Sequence, residues 1–196
     1  MPDAIGILGG TFDPPHAGHV AAAVAAHHQL GLEQVRIIPA GQAPLRPGAP
    51  VASAADRVTM CRLAFAEHPW AVVDERETRR TGISWSVDTA RELAKEYPQA
   101  ARVWILGADQ LARLDRWKDV RELCGLVEFA VLSRDGIPLV PPPSVAPVIR
   151  LTVLKAPEVQ VCSTALREAL RRGDSSRNGL PLAVARHIDE RSLYQA

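Results

Sequence analysis

The chain has 196 residues, 47% of them hydrophobic and 23% charged, with a formal net charge of +1. That length and apolar content suit one compact domain with a full core, and the near-zero charge excludes the basic field that drives non-specific nucleic-acid binding. Cys61, Cys124 and Cys162 are odd in number and widely spaced; they form no zinc pattern and suit a reducing compartment.

The apolar run 4–8 predicts a strand, and the Ala-rich stretch 18–30 predicts a helix. Between them, residues 9–19 read Gly-Gly-Thr-Phe-Asp-Pro-Pro-His-Ala-Gly-His. Gly9 and Gly10 admit a phosphate close to the backbone, and a new helix presents unpaired N–H groups and a partial positive charge. His16 and His19, spaced i and i+3, are expected on one side of the first turn, both able to donate to phosphate oxygens. His27 and His28 read as surface residues on the polar side of this helix.

A second strand is predicted at 34–39. Residues 40–52, with three prolines and two glycines, read as a loop able to close over a site. Ser53, with Asp56 three residues on, has the spacing of a capping box and opens a predicted helix at 54–67. Further strands are expected at 71–74, 103–107, 128–133 and 150–156, and helices at 87–97, 110–114, 119–124, 164–172 and 181–190. The segment 137–147 carries five prolines and reads as an extended surface connection. The alternation predicts an α/β, doubly wound parallel sheet in three αβα layers, with ligands at the carboxyl ends of the strands. One domain over 1–196 is expected, with the C-terminal helices 164–196 packed on it.

Several later residues are typed for a site. Asp109 follows a predicted strand, where a carboxylate faces the ligand crevice and can accept hydrogen bonds from ribose hydroxyls or polar substrate groups. Ser163 is typed as the N-cap of the next helix, with Thr164 beside it and Arg167 one turn further in to reach the same anion. Ser86 is typed as the cap of the helix over 87–97. Trp117 lies in the charged run Asp115-Arg116-Trp117-Lys118-Asp119, a context that suits a stacking platform for a flat ring better than core. Trp70 and Trp104, beside or within predicted strands, read as core.

His16, Gly18 and His19 match the H-x-G-H signature of the nucleotidylyltransferase superfamily. The longer Gly-Gly-Thr-Phe-Asp-Pro form resembles the bacterial nicotinate-mononucleotide adenylyltransferase family. The resemblance runs along nearly the whole chain. Gly107-Ala108-Asp109 resembles its G-x-D element, and Gly82-Ile83-Ser84-Trp85-Ser86 its G-x-S-Y-T stretch. Ser163-Thr164-Ala165-Leu166-Arg167 resembles its I-S-S-T-x-I-R segment, with Val161 and Cys162 replacing the first two residues. Trp117-Lys118 matches a Trp-Tyr pair, and Arg57 and Arg134 match further positions where phosphate-binding and structural roles both stay open. One departure stands out: the usual Pro-Pro-His-Lys of the loop after the second strand is here Ala43-Pro44-Leu45-Arg46, which keeps a charge but not the hydrogen-bonding geometry.

The resemblance implies a Rossmann-like fold of the nucleotidylyltransferase type. It implies transfer of the adenylyl group of ATP to nicotinate mononucleotide, giving nicotinate adenine dinucleotide, a precursor of NAD, and pyrophosphate. His16 and His19 are the implied catalytic residues. Gly9, Gly10, Thr11, Phe12, Arg46, Ser163, Thr164 and Arg167 are expected at ATP, with Arg134 a candidate phosphate contact. Ser84, Trp85, Ser86, Asp109, Trp117 and Lys118 are expected at the mononucleotide. Mg²⁺ is expected to arrive with ATP, and no resident metal site is implied. The expected partners are ATP and nicotinate mononucleotide, with no nucleic acid and no membrane; a homo-oligomer stays open. No basic-then-apolar leader opens the sequence and no apolar run approaches membrane-spanning length, so a cytoplasmic location is expected. The competing readings are an adenylyltransferase acting on nicotinamide mononucleotide or phosphopantetheine, and a non-catalytic nucleotide sensor of the same fold. An aminoacyl-tRNA synthetase fragment would need a K-M-S-K-S-like segment, which is absent.

Overall fold

The computed structural model describes residues 2–45, 48–133, 138–156, 159, 161–174 and 177–195. Arg46 and Arg134, both singled out above, lie outside the described residues. Six strands, β1 (Ala4–Gly10), β2 (Gln34–Pro39), β3 (Ala71–Val73), β4 (Ala101–Gly107), β5 (Glu128–Leu132) and β6 (Leu151–Leu154), form one sheet in the order β3-β2-β1-β4-β5-β6. Every pairing is parallel, with Ile7 opposite Arg36 on one side and opposite Trp104 on the other.

Parallel strands need crossovers, and those from β1 through to β5 are helices α1 (Ala17–Leu30), α2 (Ala54–Ala64), α4 (Ser86–Glu96) and α6 (Val120–Leu126), together with short α3 (Arg76–Arg79) and α5 (Ala108–Leu111). Helices α7 (Ser163–Arg171) and α8 (Leu182–Glu190) follow the sheet. Side chains alternate across the central strands. Ile5, Ile7, Trp104, Leu106, Phe129 and Val131 face one layer, where they meet Val87, Ala90 and Leu93 of α4 and Leu123 of α6. Leu8, Val103, Ile105 and Ala130 face the other, against Ala22, Ala23 and Ala26 of α1 and Cys61 of α2. A sheet covered on both faces explains why its strands read as near-continuous apolar runs. Each fully buried Ile or Phe here stabilises the fold by about 1.5–3 kcal/mol. A third cluster joins Met60 of α2, Leu170 of α7, and Val184 and Ile188 of α8 with Tyr194, docking the C-terminal helices on the sheet layers.

The doubly wound parallel sheet and its αβα layering are as the sequence predicts; several local expectations are not. Helix α3 is absent from the sequence reading because its four residues, Arg-Glu-Thr-Arg, are too few to show a helical period. The helix expected at 110–114 is instead α5 followed by a 3-10 turn, Leu114–Arg116. The proline-rich connection is no mere surface strap: Val145 is fully buried in the core. His27 is not a free surface residue either; its ring stacks on Trp70 at 4.3 Å and its Nδ1 meets the Leu32 carbonyl at 2.6 Å, tying the end of α1 to the sheet. Trp70 is only half-buried, whereas Trp104 is buried as expected. None of the described helices is long and apolar enough to cross a membrane.

Candidate active site

Strands are added outward from β1 on one side (β2, β3) and then from β4 on the other (β4, β5, β6), and at such a switch between β1 and β4 a crevice opens at the carboxyl ends of the strands. A cleft of about 770 Å³ lies there, lined by the ends of β1, β4 and β5, by residues 43–45 after β2, and by the starts of α1, α4 and α7.

His16 is the N-cap of α1, in extended conformation, and His19 is the third residue of the helix. Their rings stack with centroids 3.8 Å apart. The His16 backbone N–H donates to His19 Nδ1 at 3.1 Å. A backbone N–H cannot accept, so the neutral His19 ring carries its hydrogen on Nε2. His16 is buried and His19 half-buried, and both line the cleft. Gly18 is needed between them: a Cβ at this position would sit 3.0 Å from His16 Nδ1 and 3.1 Å from its Cε1. The signature therefore spaces two imidazoles on the first turn and removes the side chain that would displace one of them.

The turn before α1 is held from beneath. Arg57, 1% exposed, donates through one guanidinium nitrogen to the Thr11 carbonyl at 2.8 Å and the Ala40 carbonyl at 2.7 Å. Of the two roles the sequence leaves open for Arg57, the structural one is what these bonds describe. The expected cap of α2 is present, with Ser53 Oγ accepting from the Asp56 N–H at 3.1 Å. Gly9, Gly10, Thr11 and Phe12 line the cleft. Phe12 is buried with φ 51° and meets the His19 ring edge-on at 4.8 Å.

At the far side, Ser84, Trp85, Ser86, Asp109, Trp117 and Lys118 all reach the same cleft. Ser86 is not the cap of α4; Trp85 is, and Ser86 begins the helix. Trp117 is half-buried and packs edge-on against Trp104, ring centroids 5.9 Å apart. It is thus both a cleft wall and a support of the core, where the sequence suggested a platform alone. Lys118 Nζ lies 5.4 Å from the Trp85 ring centroid, a cation–π placement. Asp109 stands exposed in the first turn of α5.

Ser163 is not the cap of α7, which is Cys162. Ser163 is buried, and its hydroxyl donates to the Pro14 carbonyl at 2.9 Å, so it braces the signature turn. Ser163 and Thr164 line the cleft; Arg167 is not among its lining residues. Its guanidinium donates to the Asp13 carbonyl at 2.7 Å and to Thr164 Oγ1 at 3.2 Å.

Glu77 and Arg116 also line the cleft, although no motif in the sequence marks either as a site residue. Glu77 is buried and accepts from the Thr89 hydroxyl at 2.6 Å. Burial raises its pKa above the ordinary glutamate value, opposed by the Thr89 and Ser84 hydroxyls and by Arg80. Ser84 Oγ in turn accepts from the Gly41 N–H at 3.0 Å. A Cβ on residue 41 would sit 2.4 Å from the Glu77 carbonyl oxygen. The sequence trace of this packing is a glycine two residues past the end of β2. Among the described residues no cluster of three or more His, Cys, Asp or Glu is arranged to hold a metal ion.

Comparison with known proteins agrees with this architecture. The family model of cytidylyltransferase-like proteins matches residues 7–169. A Synechococcus protein named "Probable nicotinate-nucleotide adenylyltransferase" is 39% identical over 194 residues, covering 97% of this chain and 96% of that relative. A protein of the same name from Laribacter hongkongensis is 40% identical over 211 residues, covering 98% and 95% of the two chains. Among solved structures, Plasmodium falciparum nicotinic acid mononucleotide adenylyltransferase complexed with APC superposes with a TM-score of 0.79 at 14% identity, over 98% of this chain and 97% of that one. The same enzyme complexed with NaAD gives a TM-score of 0.76. With relatives of this identity matched along almost their whole length, the chain belongs to the cytidylyltransferase-like family, among its nicotinate-nucleotide adenylyltransferases.

Proposed function

We infer that this enzyme transfers the adenylyl group of ATP to nicotinate mononucleotide. The stacked His16–His19 pair at the start of α1, facing the Trp85–Trp117 side of one cleft, carries this reading. A phosphate oxygen of the mononucleotide attacks the α-phosphorus of ATP in line. The bond from that phosphorus to the bridging oxygen breaks, and pyrophosphate leaves with the electron pair. The acceptor supplies its own nucleophile, so the protein's part is positioning and charge stabilisation.

In this mechanism His19 Nε2–H donates to the α-phosphate as charge builds on it, and His16 donates to the phosphate chain. Gly9, Gly10, Thr11 and Phe12 form the nucleotide wall. Thr164 and the first-turn N–H groups of α7 hold the outer phosphates, with Arg167 orienting the Thr164 hydroxyl. Mg²⁺ enters as part of the ATP substrate and offsets phosphate charge. Trp117 stacks on the pyridine ring, and the substrate carboxylate meets N–H groups at the start of α4 near Trp85, Ser86 and Lys118. Cys61, Cys124 and Cys162 are free thiols, which supports a cytoplasmic location.

A pyrophosphate-release assay with ATP and, in turn, nicotinate mononucleotide, nicotinamide mononucleotide and phosphopantetheine tests the reading. Turnover is expected with the first, at a kcat/KM far above the others. Release with none of them would favour the nucleotide-sensor alternative. Incubation with α-labelled ATP alone should leave no label on the denatured protein, because no adenylyl-enzyme forms.

A further inference from the structure

Asp13 stands in the signature turn, yet it does not line the cleft. It is 2% exposed, and three segments remote in sequence converge on its carboxylate. Oδ2 accepts from the Val51 N–H at 2.9 Å, and Oδ1 from the Ala52 N–H at 3.0 Å. The Tyr194 hydroxyl donates to Oδ1 at 2.8 Å. Arg167 approaches Oδ2 at 4.0 Å while bonding the Asp13 carbonyl. Tyr194 is itself 4% exposed, its ring packed in the cluster that joins α2, α7 and α8. Burial and the neighbouring carboxylate both push its pKa up, so the hydroxyl stays a donor.

We propose that Tyr194 is a positioning residue for adenylyl transfer: its buried hydroxyl holds the Asp13 carboxylate against the Val51 and Ala52 amides and thereby sets the turn that presents His16 and His19. Asp13 follows Phe12, whose ring abuts His19, and precedes Pro14, whose carbonyl takes the Ser163 hydroxyl. A torsional change at Asp13 has little freedom to dissipate before it reaches the two imidazoles. The phenol ring supplies packing and the hydroxyl supplies orientation, so the two contributions separate chemically.

The proposal rests on the transfer reaction inferred above, and its test has one arm that needs no turnover. Tyr194→Phe removes the hydroxyl and keeps the ring. Leu193→Ala is the control, because Leu193 packs on the same cluster and has no part in the Asp13 contacts. At a temperature well below both melting points, Tyr194→Phe should lower kcat roughly tenfold, in keeping with the sensitivity of such reactions to small misplacements. KM for the mononucleotide should stay within about twofold. Leu193→Ala should lower Tm and leave kcat at the parental value. In ¹⁵N–¹H spectra of the histidine rings, the His16 and His19 signals should move in Tyr194→Phe and not in Leu193→Ala. A parental kcat in folded Tyr194→Phe, kcat losses that follow Tm equally in both variants, or unmoved ring signals would each overturn the proposal. A parental protein without transfer activity would count against the reaction, and the ring signals would still decide the role of Tyr194.

Discussion

The His16 N–H donates to His19 Nδ1 at 3.1 Å while the two rings stack at 3.8 Å, so the helix start and the orientation of its second imidazole are one structural unit. The bond leaves Nε2–H as the His19 donor. His19→Ala should leave the fold intact and lower kcat by roughly 10² or more, the usual cost of removing a transition-state donor. His16→Ala should behave similarly. Steady-state rates together with a circular-dichroism melt check this; near-parental turnover in a folded His19 variant would sink the mechanism.

Gly18→Ala separates helix propensity from site geometry. Alanine ordinarily stabilises a helix by roughly 0.5–1 kcal/mol over glycine. Here the added methyl group meets the buried His16 ring at 3.0 Å, and that ring must shift. The expected outcome is a Tm close to that of the parent with a kcat lowered about tenfold or more.

Arg57→Ala should be among the most destabilising single changes near the site. It empties a side chain that is 1% exposed and strips a donor from the buried Ala40 carbonyl and from the Thr11 carbonyl. Loss of a buried charged donor and its packing predicts about 2–4 kcal/mol, read from the denaturant midpoint at unchanged slope.

Glu77 gives a pH-dependent term. Burial raises its folded pKa above the unfolded one, so between those two values the folded state holds the proton more tightly. The stabilisation from this difference is complete below the unfolded pKa, and it is lost as pH rises through the folded pKa. Glu77→Gln, which keeps an acceptor for Thr89, should remove this term. The Tm of the parent relative to the variant should therefore fall as pH rises from about 4 toward neutrality. A difference in Tm that stays constant over that range would show that Glu77 does not titrate this way.

Trp117→Ala should raise KM for nicotinate mononucleotide while leaving KM for ATP almost unchanged, with some loss of Tm because the ring also supports Trp104. The amide of nicotinamide mononucleotide would set its NH₂ against backbone donors, and each unpaired donor costs about 1–3 kcal/mol. The parent should therefore prefer the nicotinate form on the order of 10²-fold in kcat/KM, a preference larger than one such mismatch supplies on average. Equal values for the two mononucleotides would mean that no carboxylate pocket exists.

The strand–turn–helix around residues 9–19 was legible in the sequence because its cues act over a few residues: glycines, a histidine pair at helical spacing, and apolar runs on either side. The six strands were legible for the same reason, although β1 extends to Gly10, two residues past its expected end. The helix starts at Ser86 and Ser163 were each displaced by one residue. A serine is typed for a cap by its chemistry, but the backbone at Trp85 and Cys162 takes the extended cap conformation. Helix α3 carried no readable period.

The sequence alone therefore determined the sheet, the signature turn and the motif segments that the fold brings to the cleft, since periodicity and local hydrogen-bonding chemistry are properties of short segments. Tertiary structure alone decided what braces that site: Arg57 beneath Thr11 and Ala40, Ser163 on Pro14, Tyr194 on Asp13, and Glu77 beside Ser84 and Thr89. Tyr194 and Asp13 are 181 positions apart. Nothing within a turn or a strand's length of either residue encodes that meeting. It exists only because the packed sheet brings α8 against α2 and the segment after α8 beneath the signature turn, where a buried carboxylate must find its donors.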